Sequence, residues 1–163
     1  MQHTKPIIFL DYDGVVNTIY WRKYPRAQGF KATFAFPSDG FVNNYQAICW
    51  LNELYRKHPF DIVVSSTWRF HSNYKECLYN GGLRSEISIL GCTPRGTGCR
   101  GDEIKEWIEE NNFKGHFIIL DDDSDMGDYM DNLVKCDTYN GFTVREYEEC
   151  IRRFKKWTVE DNV

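Results

Sequence analysis

Short runs of apolar residues alternate along the chain with longer stretches in which apolar residues recur at helical spacing. The apolar runs predict buried strands, which we place at residues 7–10, 61–64, 87–90, 117–120 and 134–136. The longer stretches predict helices at residues 41–58, 73–80, 101–112 and 143–157. Continuous apolar strands separated by helices indicate a parallel sheet that is covered on both faces. We therefore expect an α/β fold, a Rossmann-like three-layer sandwich with a central parallel sheet.

The polar residues that directly follow the predicted strands carry the candidate chemistry. Ligands of open parallel sheets bind beyond the carboxyl ends of the strands. The strongest strands are followed by the segments 11–14, 65–69 and 121–125, which are rich in carboxylates and hydroxyls. We therefore expect the functional site among these three segments.

Asp11 and Asp13 lie two residues apart, and Gly14 lets the backbone turn sharply just after them. Two carboxylates this close repel each other unless a cation, a shared proton or two distinct catalytic roles compensate. One carboxylate can attack phosphorus as a nucleophile while the other protonates the leaving oxygen. The same residues also fit a surface turn whose carboxylates cap backbone amides. A calcium loop fits less well, because its twelfth position is Arg22 instead of Glu.

A second acidic cluster follows the strand at 117–120, and its members are Asp121, Asp122, Asp123 and Asp125. Several carboxylates at the end of a buried strand favour a hard divalent cation such as Mg²⁺, which prefers oxygen ligands. Asp11 and a member of this cluster are candidates to share that ion. The alternative is a solvated acidic loop that caps a helix.

Hydrogen-bond donors follow the second strand, at Ser65, Ser66, Thr67 and Arg69. Hydroxyls and backbone N–H groups at a strand-to-helix junction can hold a phosphate oxygen, although Ser-Ser-Thr is also typical of an ordinary helix N-cap. Further along the chain, Arg100 and Lys105 are candidates for a fixed cation that offsets charge on a phosphoryl group. The alternative for these cations is surface charge, which fits Lys105 better than Arg100.

The ordered set of motifs resembles the haloacid dehalogenase-like (HAD) phosphohydrolase superfamily. The pattern of that superfamily is D-x-D-x-[TV], a Ser or Thr after the second strand, a Lys or Arg, and an acidic motif. A narrower resemblance, to the HAD domains associated with RNA-repair proteins, is carried by the segments 11–17, 65–69, 93–94, 100–104 and 120–126. The chain more distantly resembles the phosphatase domain of polynucleotide kinase-phosphatase.

The resemblance implies catalytic roles for the two carboxylates of the first motif. Asp11 would be the nucleophile that forms an aspartyl-phosphate. Asp13 would be the general acid, and then the base that activates water. The implied Mg²⁺ ligands are Asp11, the backbone carbonyl of Asp13, Asp122 and, in an assisting role, Asp121.

The resemblance also implies which residues bind the phosphate. Ser65 would bind a phosphoryl oxygen, with Ser66 as the alternative. Arg100 would supply the cation, with Lys105 as the competing assignment. Further candidate substrate-binding residues are Ser66, Thr67, Arg69, Trp21, Arg22 and Lys23.

The segment at residues 19–36 bears on the nature of the substrate. It contains no acid, and six aromatic residues are interleaved with its four cations, Arg22, Lys23, Arg26 and Lys31. Cations for phosphate and rings for base stacking suit a single-stranded nucleic acid. The alternative is a flap whose rings pack on the body of the protein. No large cap domain of the kind found in the HAD superfamily fits between the motifs, so we expect an open site that admits a polymer end.

Length and composition bear on the number of domains, on membrane and secretory segments, and on the use of the cysteines. A chain of 163 residues suits one domain, with a small flap or loop insertion at about 18–40. The net charge of −4 does not exclude nucleic acid, because the segment 19–36 is locally basic. No apolar run is long enough for a membrane span or a signal-peptide core. The six cysteines are scattered without a C-x-x-C motif, so we expect neither zinc nor disulfides, and a cytoplasmic location.

The sequence therefore predicts a Mg²⁺-dependent phosphomonoesterase that removes terminal phosphate from nucleic-acid ends or nucleotides. RNA-repair proteins are its expected partners. Two alternatives stay open: a small-metabolite phosphatase with the same chemistry, and a non-catalytic nucleic-acid-binding module on the same fold.

Overall fold

The structure is a computed structural model that describes residues 5–23, 44–96 and 98–160. Its centre is a five-stranded sheet in which every strand pair is parallel. The strands are β1 (Ile7–Leu10), β2 (Asp61–Val64), β3 (Ile89–Cys92), β4 (Phe117–Asp121) and β5 (Leu133–Lys135), in the spatial order β3-β2-β1-β4-β5. The predicted α/β fold with a central parallel sheet is confirmed.

The order of the strands reverses between β1 and β4. From β1 the chain first builds outward through β2 to β3, and it then returns to the other side of β1 to add β4 and β5. A reversal of this kind leaves a crevice at the carboxyl ends of the two central strands, where ligands of such sheets bind. Leu10 pairs with Leu120, so Asp11 and Asp121, the residues that follow them, lie beside each other at this crevice.

Helices cover both faces of the sheet. They are α1 (Ile19–Lys23), α2 (Tyr45–Lys57), α3 (Tyr74–Asn80), α4 (Arg100–Glu110) and α5 (Val144–Glu160), with 3-10 helices at Thr67–Phe70 and Gly127–Asn132. Ile8 and Leu10 pack in one core cluster with residues of α2, α3 and α5. Ile7 and Phe9 pack in the other cluster with residues of α4. Successive side chains of a strand point to opposite faces of the sheet. Both faces of β1 are buried, and this explains why the strand is apolar at every position.

Most predicted elements lie within a few residues of their observed positions. The predicted strand at 87–90 corresponds to β3, which begins two residues later, because the N–H of Ile87 is bonded in a turn to the carbonyl of Arg84 at 3.1 Å. The helix α2 follows Asn44, whose side-chain oxygen accepts a hydrogen bond from the N–H of Ala47 at 3.1 Å. Helix α1 and the two 3-10 helices were not predicted, since elements this short produce no periodic pattern.

Most of the predicted flap at about 18–40 lies outside the described residues, because the structure describes nothing between residues 23 and 44. Arg26 and Lys31 are among the residues outside that description. In the part of the chain that the structure describes, every helix is too short or too polar to cross a bilayer.

Candidate active site

The loop that follows β1 is a tight turn that carries Asp11 and Asp13. The carbonyl oxygen of Tyr12 accepts three hydrogen bonds, at 3.2, 2.9 and 2.7 Å, from the backbone N–H groups of Val15, Val16 and Asn17. The Tyr12 side chain is fully buried and anchors the turn in the core. The backbone therefore fixes the positions from which the side chains of Asp11 and Asp13 extend.

Gly14 brings this turn against the end of β4. Its φ is +76°, in the left-handed region where side chains are strained. A Cβ atom added at Gly14 would lie 2.2 Å from Cγ of Asp122. A glycine is thus needed both for the turn and for the close approach of Asp122.

Asp11, Asp121 and Asp122 form an acidic cluster at the reversal of strand order. Each offers one carboxylate oxygen, and these oxygens all lie within 4.8 Å of one another. Asp11 is 8% exposed and Asp121 only 2%. The N–H of Asp11 donates to the carbonyl of Leu120 at 2.9 Å, which holds the two strand ends together. The predicted meeting of Asp11 with the second acidic cluster is therefore what the fold produces.

The carboxyl groups of Asp11 and Asp121 have pKa values above the ordinary range of an aspartate. Burial raises the pKa of Asp11 to about 6, although a hydrogen bond from Ser66 and the charge of Arg100 act in the opposite direction. Burial, and then the negative charge of Asp11, raise the pKa of Asp121 to about 8. Carboxylates that are buried together are costly unless a cation compensates their charge.

The cluster fits Mg²⁺, because it consists of carboxylate oxygens that converge at the ends of two neighbouring strands. The other acids of the same loop serve differently. Asp123 and Asp125 are exposed, and Asp125 accepts a hydrogen bond from the backbone N–H of Arg100 at 3.1 Å. Asp125 thus caps the beginning of α4. The loop therefore combines both predicted alternatives, a candidate cation site and an acidic helix cap.

Arg100 extends from the first turn of α4 toward the acidic cluster. Its Nε atom lies 3.7 Å from Oδ2 of Asp121, and a terminal nitrogen donates to Oε2 of Glu103 at 2.9 Å. Lys105, the competing assignment, is exposed and lies about 140° around the helix from Arg100. The geometry therefore favours Arg100 as the cation of the site.

Glu103 links Arg100 to Arg69. The other oxygen of Glu103 accepts a hydrogen bond from Arg69 at 2.7 Å, and the two side chains are only 10% and 4% exposed. Arg69 also donates to the carbonyl of Ser66 at 2.9 Å. The sequence predicts that Arg69 binds substrate. In the structure its guanidinium is buried against protein acceptors, so Arg69 supports the end of β2 instead.

Asp13 is held by two side chains from different parts of the chain. Asn17 donates from Nδ2 to Oδ1 at 2.6 Å, and Trp68 donates from Nε1 to Oδ2 at 3.0 Å. Each carboxylate oxygen has about two lone-pair sites, so each retains room for a proton or a further donor. The backbone carbonyl of Asp13 stays a predicted metal ligand.

The two serines after β2 have different surroundings, although both are fully buried. The oxygen of Ser66 accepts a hydrogen bond from the N–H of Trp68 at 3.3 Å, and its hydroxyl also bonds Asp11. Among the described residues, the hydroxyl of Ser65 has no hydrogen-bond partner. A buried hydroxyl without a partner is costly. Ser65 is therefore the better candidate for a phosphoryl oxygen, and Ser66 for orienting Asp11.

The remaining predicted substrate contacts lie at the margin of the site or outside the description. Thr67 is exposed at the first position of its 3-10 helix, and Lys23 is exposed at the end of α1. Trp21 and Arg22 belong to α1, but their side chains fall outside what the structure describes. Their contact with substrate stays a prediction.

Comparison with known families decides the classification. A family model described as "HAD domain in Swiss Army Knife RNA repair proteins" matches residues 7–147. The chain belongs to this HAD family. Nothing among the curated proteins or the solved structures matches the chain significantly. The matched part of this HAD domain runs from β1 to the beginning of α5, so it contains the acidic cluster and every residue that surrounds it. Membership supports a phosphatase-like function in general terms, and the superfamily generally uses Mg²⁺.

Three residues of the HAD domain's site had no role in the sequence analysis: Asn17, Trp68 and Glu103. Glu103 follows Arg100 by three residues on a helix, a spacing at which side chains meet, so its ion pair was open to prediction. Trp68 and Asp13 are 55 residues apart in the sequence, and no local sequence pattern predicts a contact at that separation.

Proposed function

We propose that this HAD domain is a Mg²⁺-dependent phosphomonoesterase that works through an aspartyl-phosphate on Asp11. The observation that supports it best is the meeting of Asp11 with Asp121 and Asp122 at the reversal of strand order, with oxygens within 4.8 Å. A bound Mg²⁺ would neutralise this cluster and draw charge from a phosphoryl oxygen. The residues that would hold it are Asp11, Asp121, Asp122 and the carbonyl of Asp13.

In the first step, a carboxylate oxygen of Asp11 attacks phosphorus and forms the acyl-phosphate bond. The ester P–O bond breaks, and the leaving oxygen takes its proton from the carboxyl group of Asp13. The hydroxyl of Ser65 can donate a hydrogen bond to a phosphoryl oxygen. The positive charge of Arg100 stabilises the negative charge of the phosphoryl oxygens during the transfer.

In the second step, the carboxylate of Asp13 removes a proton from a water molecule, whose oxygen attacks phosphorus. The bond to Asp11 breaks, inorganic phosphate leaves, and both aspartates return to their starting states. The net reaction consumes one ester and one water, and it releases one alcohol and one phosphate. Asp13 serves both steps because one position alternates between acid and base.

The substrate class that we propose is a nucleic-acid end or a nucleotide. Two observations support it: the family is named for RNA-repair proteins, and the segment 19–36 combines cations with aromatic residues. We further propose that the domain acts beside RNA-repair proteins in the cytoplasm.

The test is phosphate release in the presence of Mg²⁺ from a panel of esters. The panel contains an aryl phosphate, nucleoside monophosphates, sugar phosphates, and oligonucleotides phosphorylated at the 3′ or the 5′ end. We expect turnover that EDTA and the substitution Asp11→Asn abolish, and that Asp128→Asn, an exposed control on the second 3-10 helix, leaves unchanged. Absence of turnover on the whole panel would overturn the proposal. A strong preference for a sugar phosphate would replace the nucleic-acid substrate with a small metabolite.

A further inference from the structure

We propose that Trp68 and Asn17 are positioning residues that aim Asp13 at the leaving oxygen of the substrate. The inference rests on the proposed function and adds to it the residues that act through the general acid. Each donates to a different oxygen of the same carboxylate, Asn17 to Oδ1 at 2.6 Å and Trp68 to Oδ2 at 3.0 Å. Two such bonds on opposite oxygens restrict the rotation of the carboxylate about its terminal torsion, which is otherwise broad.

The first donor, Asn17, is itself held by the turn after β1. Asn17 is buried, with only 1% of its surface exposed. Its N–H donates to the carbonyl of Tyr12 at 2.7 Å, and its carbonyl accepts from the N–H of Gly14 at 2.9 Å. These two hydrogen bonds connect the residues on either side of Asp13. They fix the backbone of Asn17, and with it the position from which its side-chain amide extends.

The second donor, Trp68, comes from the 3-10 helix that follows β2. Its backbone N–H donates to Oγ of Ser66 at 3.3 Å, and its indole ring packs against the ring of His71 with centroids 5.0 Å apart. The same strand end that carries Ser65 therefore also carries the donor to Asp13. The positions of the phosphate-binding hydroxyl and of the general acid are coupled through four consecutive residues, 65–68.

This geometry predicts an effect that depends on the leaving group. A sugar hydroxyl is a poor leaving group and needs a well-placed acid, whereas an acidic phenol leaves with little help. A residue that only supports the fold would affect both reactions alike. The quantity to compare is kcat/KM, which includes cleavage of the ester bond and excludes the later hydrolysis of the aspartyl-phosphate.

The decisive variant is Trp68→Phe, which keeps a ring against His71 and removes the N–H donor. We expect its kcat/KM for a nucleoside monophosphate to fall roughly 10-fold or more, and its kcat/KM for 4-nitrophenyl phosphate to change much less. The variant Asn17→Ser replaces the amide with a shorter side chain, removes the Nδ2 donor to Oδ1 of Asp13, and should show the same selectivity. The matched control is Trp50→Phe, because Nε1 of Trp50 has no hydrogen-bond partner among the described residues and its ring, on α2, packs on the ring of Tyr147, on α5.

The outcomes separate this inference from the proposed function. Wild-type protein that hydrolyses neither ester overturns the proposed function, and the positioning role with it. Active wild-type protein with equal losses on both esters, or with no loss in either variant, overturns the positioning role alone. Should Trp68→Phe fail to fold by circular dichroism, the ratio measured for Asn17→Ser decides between the same two results.

Discussion

The Nε atom of Arg100 lies 3.7 Å from Oδ2 of Asp121, and the guanidinium is held in that position by Glu103. Arg100 is thus a cation at the acidic cluster that does not depend on a bound metal. Its backbone N–H is bonded to Asp125, so the loop that supplies the acids also places the beginning of α4.

Replacement of Arg100 should impair catalysis far more than replacement of Lys105. Arg100→Met removes the positive charge beside Asp121, and we expect kcat to fall roughly 100-fold. Lys105→Met, on the exposed side of the same helix, should leave kcat near the wild-type value. Steady-state kinetics with the best ester of the panel checks both. A larger loss in Lys105→Met would show that the two cations have been assigned the wrong way round.

Glu103 should be important for stability as well as for the site. It compensates two poorly exposed guanidinium groups, those of Arg69 and Arg100. Glu103→Gln removes that charge, and we expect the free energy of unfolding to fall by about 3 kcal/mol. Glu106→Gln, at an exposed position of the same helix, should change it by less than about 0.5 kcal/mol. Urea unfolding measures both values, and equal stability of the two variants would contradict the ion-pair assignment.

The acidic cluster should make stability depend on pH and on metal. Unfolding returns the pKa of Asp11 and Asp121 to about 4, whereas the folded values are about 6 and about 8. Between these values the folded state binds more protons than the unfolded state. The free energy of unfolding of the metal-free protein should therefore fall as the pH rises from about 4 to about 8.

Two comparisons isolate this effect. Asp121→Asn should flatten the pH dependence. Burial lowers the pKa of His58, which gives a slope of the opposite sign, but both proteins contain His58, so its contribution cancels in the difference between their slopes. Mg²⁺ should stabilise the wild-type protein most at the alkaline end, where the carboxylates are charged. Thermal unfolding with EDTA and with Mg²⁺ tests both, and a wild-type slope that Asp121→Asn does not reduce would contradict the burial argument.

Gly14 should tolerate no side chain. Gly14→Ala places a Cβ atom 2.2 Å from Cγ of Asp122 and forces alanine to adopt a φ of +76°. We expect a loss of at least about 1 kcal/mol from the backbone alone, and weaker stabilisation by Mg²⁺ because Asp122 is displaced. Gly91→Ala is the control, since an added Cβ there has no neighbour within 4 Å. Calorimetry with and without Mg²⁺ distinguishes the two variants, and similar behaviour would refute the predicted steric conflict.

The central strands of the sheet could be predicted from the sequence because β1, β2 and β4 are buried on both faces. Continuous apolar runs such as 7–10 and 117–120 are typical of strands in the middle of a covered parallel sheet. The helices were predictable for the same reason, as each buries one apolar stripe. Elements without such a pattern, including α1 and the 3-10 helix at Thr67–Phe70, were not.

The sequence by itself also determined which polar residues lie at the ends of the strands. Asp11, Asp13 and the acids after β4 stand at strand ends, and in a parallel sheet those ends share one edge. The tertiary structure decided where these residues lie relative to one another and which hydrogen bonds they make. It separated Asp121 and Asp122 from Asp125, Arg100 from Lys105, and Ser65 from Ser66.

The physical reason is the difference between local and distant contacts. The positions of the strand ends can be predicted from the hydrophobic pattern, because that pattern depends only on neighbouring residues in the chain. The hydrogen bond from Trp68 to Asp13 and the contact of Gly14 with Asp122 join positions that are far apart in the chain. Their distances depend on how β1, β2 and β4 pack beside one another, and only the folded sheet defines that packing.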